Sequence, residues 1–422
     1  GLYAHTTGAD TNRDVLDRRY RTMAHHFSAN GYYTGLVGKM HFNDACNHGF
    51  EYYMSINDWL MYLGPKVRHY ADEIASHQLM PRFFETVDDD GAGFPDMRGL
   101  WGGRPSPWVG NVTAMDPERY ASELEEEDHL DAFVARESVR FLENGASRPF
   151  LLIASFMKPH TPFHPPRRHA GMYPLGEVAI KDVGDISGYP ASARRISEAY
   201  SAVPEIGRKS AKAGYYGNLA FVDECIGALY GSLERLGLLE DTIVVYTSDH
   251  GEMDGDHGMY QKFCMFEPSV KVPMIVSMPG TLAEGVVSGR LINQIGLYQT
   301  LADLTGTGPA DFTPLAPMER PPKGPDAVSF AEKVLSPDAP DGEGDEAFVE
   351  YRVKDRESSE YMVRVGKYKY AHYATGEGML FDLEADPGEL MNLAGDAGYA
   401  DVRAELLGRI RRRVGALADG PR

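Results

Sequence analysis

The sequence predicts an α/β protein: a mainly parallel sheet sandwiched by helices, then a small carboxyl-terminal antiparallel sheet with one helix packed on it. Three observations predict this. Apolar, β-branched runs at residues 32–37, 149–156 and 242–247 stop abruptly at polar or basic residues. Buried parallel strands look this way when they deliver side chains to the carboxyl edge of a sheet. Helical patterns at 22–31, 117–144 and 213–236 alternate with these runs. Beyond a stretch rich in Pro, Gly and Asp at 309–345, the alternation gives way to short strands joined by hairpin turns. The expected organisation is an α/β domain over 1–310, a boundary over 311–345 and an α+β subdomain over 346–422.

The elements follow in order. In the first helix Thr22 caps the start, Met23 and Phe27 share a face, and Gly31 suits the end. The strand at 32–37 runs into Gly38-Lys39-Met40-His41. Residues 44–106 are irregular and aromatic; Tyr52, Tyr53, Trp59, Tyr62 and Trp101 either line a pocket or, as aromatics more often do, pack the insertion. Asp88-Asp89-Asp90 is a carboxylate run that reads as a solvated loop before Gly91 and Gly93. The acidic first half of the next helix complements its dipole, and Leu130, Phe133, Val134 and Phe141 form its apolar face. The strand at 149–156 ends in Lys158-Pro159-His160-Thr161-Pro162. Residues 165–210 read as a surface excursion. In the helix at 213–236, Leu219, Val222, Ile226, Leu229 and Leu233 fall on one face, and Cys225 reads as a small core residue. The third strand, 242–247, opens on Ser248-Asp249-His250-Gly251-Glu252, and Lys262 follows. A strand at 273–278, a helix at 293–304, strands at 347–352, 361–365, 368–373 and 379–382, and a helix at 401–416 complete the chain.

Charge and cysteine content exclude several function classes. Lys plus Arg is 42 and Asp plus Glu is 62, so the net charge is 42 − 62 = −20. That disfavours non-specific binding to nucleic acid or to an anionic membrane, and an anionic substrate then needs a locally basic site. Three cysteines, Cys46, Cys225 and Cys264, are not a disulfide framework, and their spacing matches no zinc motif. The longest apolar run, 150–157, is far short of the ~20 residues that span a bilayer.

Three strand ends therefore carry His or Lys: Lys39 with His41, Lys158 with His160, and Asp249-His250 with Lys262. A carboxylate beside an imidazole suits a metal ion, and a lysine suits an anion. Asp-His-Gly is equally ordinary turn chemistry, and a single Lys-His pair fits a solvated loop. Three such ends converging on one sheet edge favour a metal- and anion-binding site.

These blocks, in this order, resemble the sulfatases of the alkaline phosphatase superfamily. Gly38-Lys39-Met40-His41 resembles the family's Gly-Lys-x-His. Lys158-Pro159-His160 with Pro162 resembles its Lys-Pro-His-x-Pro. Ser248 to Glu252 with Asp256-His257-Gly258 and Lys262 resembles its metal and lysine block. Val270-Lys271-Val272-Pro273 resembles Val-Arg-Val-Pro, and Leu380-Phe381-Asp382-Leu383 to Asn392-Leu393 resembles the carboxyl-terminal run. The resemblance implies an alkaline-phosphatase-like fold and hydrolysis of a small-molecule or carbohydrate sulfate ester. It implies Asp249 and His250 as ligands of a divalent metal, usually calcium, although calcium by itself prefers oxygen to imidazole. It implies Lys39 and Lys262 on the sulfate oxygens, His41 orienting the nucleophile, and His160 on the bridging oxygen as proton donor; the role of His257 stays open.

Two departures qualify this. The family's nucleophile is a formylglycine made from Cys or Ser in C/S-x-P-x-R, and no such motif occurs in this sequence. Gly1 to Thr6 resembles the segment just after that motif, so the nucleophile and the family's paired metal-binding aspartates are expected upstream of Gly1. Gly296 stands where the family often has Asp. Rival readings are a phosphonate or phosphate monoesterase of the same superfamily, or an inactive anion-binding pseudo-enzyme if the chain starts at Gly1. The run Gly38 to Phe42 with His48-Gly49-Phe50 is reminiscent of choline-sulfatase-like members.

Overall fold

The computed structural model describes residues 1–10, 14–67, 121–145, 147–181, 183–201, 203–319, 321–322, 324–326, 328–339, 345–352 and 359–415. In chain order these form α1 (Met23–Ala29), β1 (Tyr33–Gly38), β2 (Tyr52–Met54), α2 (Ile56–Leu63), α3 (Leu130–Gly145), β3 (Phe150–Ser155), α4 (Ala191–Ser201), α5 (Glu205–Arg235), β4 (Val244–Thr247), β5 (Met274–Ser277), α6 (Leu297–Thr305), β6 (Glu346–Tyr351), β7 (Glu360–Val365), β8 (Tyr368–Tyr373), β9 (Gly378–Asp382) and α7 (Ala400–Val414), with short helical turns between them. The chain divides into two units. One comprises Val15–Lys181 and Ser201–Thr242; the other comprises Gly1–Asp14, Asp182–Tyr200 and Ile243–Arg422.

The first unit holds a parallel sheet in the order β2-β1-β3. Its register pairs Val37 with Ala154 and Gly38 with Ser155, so β1 and β3 end level. Helix α3 covers the sheet through the predicted face: Leu130, Phe133 and Val134 join Val37, Trp59 and Met157 in one apolar cluster. A Cβ on Gly35 would lie 2.6 Å from the Phe141 ring, so glycine at the middle of β1 lets the helix approach. Trp59 is fully buried and donates its indole N–H to Asp128 O at 2.7 Å. Trp59 thus serves packing, Tyr52 and Tyr53 are half-buried, and Tyr62 is exposed with its hydroxyl donating to Asp128 Oδ1 at 3.1 Å; Trp101 and Asp88 to Asp90 lie outside the described residues.

Helix α5 begins eight residues earlier than the sequence pattern indicates, at Glu205 rather than 213. Its first turns bury Gly207, Ser210, Ala211 and Gly214, small residues that give no hydrophobic period. Phe221 and Cys225 pack against Ala135 of α3, while Leu219, expected on the apolar face, is exposed.

The second unit is antiparallel among its described strands. Residues 242–247 do not form a buried parallel strand: β4 pairs antiparallel with β5, with Tyr246 opposite Ile275. Those two side chains are 38% and 58% exposed. A β-branched run records that a strand forms but not which neighbour it takes, and here the chain returns through the 248–273 loop to lie beside it.

The carboxyl-terminal sheet runs β6-β7-β8-β9, antiparallel throughout, as predicted. Its hairpins turn at Gly366 and Gly376, both at positive φ. Alternation assigns each face: Tyr361, Val363, Tyr370 and Leu380 meet Leu406 and Ile410 of α7, while Met362, Ala371, Met379 and Phe381 meet Met259, Phe266 and Tyr189.

Candidate active site

In the parallel-sheet unit the site residues leave the sheet from neighbouring strand ends. Gly38 has φ +104°, and a Cβ there would lie 2.1 Å from Ser155 O. The Lys39 N–H donates to that same oxygen at 2.9 Å. Beyond it Lys39 is half-buried and His41 exposed. On the adjacent strand end, the Asp131 carboxylate accepts the N–H groups of Met157 (2.8 Å) and Lys158 (3.0 Å). Asp131 is fully buried, and burial pushes its carboxyl above the ordinary range despite the Lys158 charge and these N–H groups. The Lys158 ammonium is turned inward and donates to His164 O at 2.9 Å. Burial, with Lys158 and His164 nearby, holds His129 well below the usual histidine range.

His160 is fixed by two bonds. Its N–H donates to Met157 O at 3.0 Å, and its Nδ1 lies 2.7 Å from Thr161 O. A carbonyl only accepts, so Nδ1 carries the proton of this bond. Pro159 and Pro162 both follow cis peptide bonds.

The second unit holds Asp249, His250 and Lys262, in the loop after β4. The Gln294 amide donates to Ser248 O (2.7 Å) and Thr247 Oγ1 (3.1 Å), and the Ser248 hydroxyl donates to His250 O (2.7 Å). His250 Nδ1 donates to Gly251 O at 2.8 Å, which places its Nε2 3.7 Å from Asp249 Oδ2. The Asp249 side chain is 61% exposed and that of His250 29%. The pair therefore presents a carboxylate oxygen and an imidazole nitrogen side by side, two of the donors a divalent ion needs.

Ser269 ties this loop to the lysine. Its carbonyl accepts the Gly251 N–H at 2.8 Å, and its hydroxyl donates to Lys262 O at 2.9 Å. The Lys262 ammonium lies 5.1 Å over the Phe263 ring. Between them Glu252 is half-buried, and loss of hydration pushes its carboxyl up to about 7, against the N–H groups of Gln261 and Asp254 and the Lys262 charge. His257 is a buried brace: Nδ1 is 2.8 Å from the Tyr189 hydroxyl, and the ring stacks on Phe266 at 4.1 Å.

The structure thus groups Lys39 with His41 and His160 at one sheet edge, and Asp249 with His250 and Lys262 in one loop system. Lys158, which the sequence presents as an equivalent of Lys39, is committed to a backbone carbonyl. Sequence reasoning missed Asp131, Ser269 and Gln294. The expected helix over 117–144 placed Asp131 in mid-helix, whereas the helix begins at Leu130 and puts Asp131 in its first turn; Ser269 and Gln294 act through backbone groups that leave no motif.

The profile of the family described as Sulfatase matches residues 1–307. The chain belongs to the sulfatase family. It is 30% identical over 387 residues to the choline-sulfatase of Rhizobium meliloti, covering 88% of this chain and 67% of that protein. It is 28% identical over 413 residues to an arylsulfatase of Clostridium perfringens, covering 94% and 80%. A protein solved with its substrate D-glucosamine-2-N,6-O-disulfate shares the fold at TM-score 0.70 and 18% identity, covering 100% of this chain and 88% of that one. So does the phosphonate monoester hydrolase of Silicibacter pomeroyi, at TM-score 0.72 and 21% identity, covering 99% and 85%.

The sulfatase is accordingly a sulfuric ester hydrolase of the alkaline phosphatase superfamily, with the alkaline-phosphatase-like fold. The family binds a divalent metal and typically uses a formylglycine. Among the described residues, Asp44 with Cys46 and His48, and Glu126 with His169 and Glu224, are groups that could hold a metal ion. No helix of the described residues is long and apolar enough to cross a membrane.

Proposed function

We propose that this sulfatase cleaves a small sulfate monoester, with choline sulfate the first candidate, and that the six residues singled out by the sequence carry the reaction. The supporting observation is the Asp249-His250 pair: His250 Nδ1 is held by Gly251 O, so Nε2 and Asp249 Oδ2 stand 3.7 Å apart as metal donors. Calcium is the proposed ion, with Asp249 the harder ligand. Bound there, it would supply positive charge to the sulfuryl oxygens, while a formylglycine hydrate would supply the attacking oxygen.

The chain's own residues do the rest. Lys39 and Lys262 bind the sulfate oxygens as the bond to the alcohol stretches. His41 hydrogen-bonds and orients the nucleophile. His160, anchored through Nδ1, delivers a proton from Nε2 of its imidazolium to the departing alkoxide. Choline sulfate is favoured by the choline-sulfatase relative and by the run Gly38 to Phe42 with His48-Gly49-Phe50.

The test is a substrate panel on the intact protein: choline sulfate, an aryl sulfate, a glucosamine sulfate, and a phosphonate and a phosphate monoester. Sulfate turnover should exceed that of both phosphorus esters. Lys262→Ala and His160→Ala should each lower kcat/KM by roughly 100-fold or more, the scale of one transition-state donor or one general acid. Full activity in either variant would remove that residue's role. Chelation followed by reloading with Ca²⁺, Mg²⁺, Mn²⁺ or Zn²⁺, read as thermal stability as well as turnover, identifies the ion. Faster phosphonate cleavage would reassign the enzyme.

A further inference from the structure

Three donor groups of different chemistry meet in the loop after β1, inside the parallel-sheet unit. Asp44, Cys46 and His48 occupy alternate positions. A carboxylate oxygen, the thiol sulfur and an imidazole nitrogen all lie within 4.8 Å of one another. His48 Nε2 donates to Asp44 Oδ1 at 2.9 Å, and the Cys46 N–H donates to the same oxygen at 3.0 Å. Positive φ at Asn43 (+59°) and His48 (+48°) curls the segment so that alternate side chains converge. His48 is 3% exposed and packs against the Phe42 ring at 4.2 Å, so its imidazole is held in place.

These separations approach those of a metal centre. Donors on a tetrahedral Zn²⁺ at the usual bond lengths stand about 3.4 Å apart for N and O, and about 3.6 Å apart when one is sulfur. The N–O pair at 2.9 Å needs to open only slightly, and the sulfur stands within 4.8 Å of both. Arg18 takes Asp44 Oδ2 at 2.7 Å and leaves Oδ1 as the converging atom. The second cluster differs: Arg168 bridges Glu126 and Glu224 and occupies both carboxylates. The cysteine spacings concealed the first cluster, because its other ligands are Asp and His.

We propose that Asp44, Cys46 and His48 form a binding site for a thiophilic divalent transition-metal ion such as Zn²⁺, separate from the Asp249-His250 pair. The thiolate and imidazole select such an ion over calcium or magnesium, which prefer oxygen. Three protein ligands leave a fourth position for water. On binding, the Cys46 thiol releases its proton to solvent, and the His48 proton moves from Nε2 to Nδ1 as Nε2 takes the metal. One proton leaves per ion, so affinity rises with pH. The site begins three residues after His41, and an occupied site stiffens the segment that carries Lys39 and His41.

The experiment is a Co²⁺ titration of the intact, reduced, metal-stripped protein, read by the near-ultraviolet sulfur-to-cobalt charge-transfer band. This readout is independent of turnover and silent to the sulfur-free Asp249-His250 pair. A saturable band is expected, displaced by Zn²⁺ and not by Ca²⁺. Cys46→Ser should abolish it, Cys225→Ser and Asp249→Asn should retain it, and Asp44→Asn should weaken Co²⁺ at least tenfold, with His48→Gln doing the same where circular dichroism shows it folded. Absence of a band in the wild type, or persistence of the band in Cys46→Ser, overturns the proposal, and Cys46→Ser decides even if the buried-histidine variant does not fold.

Discussion

At Gly251 the chain passes so close to Pro268 that a Cβ would sit 1.9 Å from its carbonyl oxygen. The Gly251 N–H simultaneously donates to Ser269 O. Gly251→Ala should therefore push the Asp249-His250 turn away from Ser269, at about 1–3 kcal/mol of stability. A lower Tm together with weakened metal-dependent stabilisation is the expected result; unchanged metal response would show that the turn tolerates the shift. Glu360 lies buried on β7, opposite Tyr373, and burial pushes its carboxyl up to about 8, against a hydrogen bond from Ser192. Its ordinary value is 4.5. Below pH 4.5 folded and unfolded chains are both protonated here. Between 4.5 and about 8 only the unfolded chain ionises, so this residue's contribution to stability falls by up to about 1.4 kcal/mol per pH unit and then levels off. Glu360→Gln should remove that slope. Thermal unfolding at pH 5 and pH 8 checks it: the variant's Tm relative to wild type should be higher at pH 8.

Asp131 joins two elements. It sits in the first turn of α3 and accepts the backbone N–H groups that follow β3, fixing the start of the segment that carries His160. Asp131→Ala would leave two buried donors without their acceptor, at about 1–3 kcal/mol each. It should lower both Tm and kcat, whereas Asp131→Asn, which keeps an acceptor oxygen, should recover part of both; an alanine variant with wild-type kcat would show that His160 holds its place without α3. Strand ends were legible because an apolar run followed by Lys or His is a local signal. The antiparallel pairing of β4 was not, because the choice of neighbour is made by distant residues. The first turns of α5 were hidden because Gly, Ser and Ala pack a helix closely without creating a hydrophobic period. Lys158 and Lys39 read alike in sequence, and only the His164 carbonyl distinguishes them.

The net charge of the chain is −20, while the group to be cleaved is an anionic sulfate that must approach a few lysines. The family and fold were legible at this scale because ordered blocks run along nearly the entire chain; the opposing field is a property of composition that no motif records. At 0.01 M salt the Debye length is about 30 Å, so an approaching monoanion feels the repulsion of distant carboxylates. At 0.15 M it is about 8 Å, and only charges within about that distance of the anion still act on it. Raising ionic strength over this range should therefore increase kcat/KM for an aryl sulfate severalfold. Choline sulfate carries a quaternary ammonium that cancels its sulfate charge, so its kcat/KM should change much less. Measuring both esters in one salt series separates long-range repulsion from any effect of salt on the enzyme itself. A monotonic fall for the aryl sulfate would mean that local lysine attraction outweighs the field of the chain.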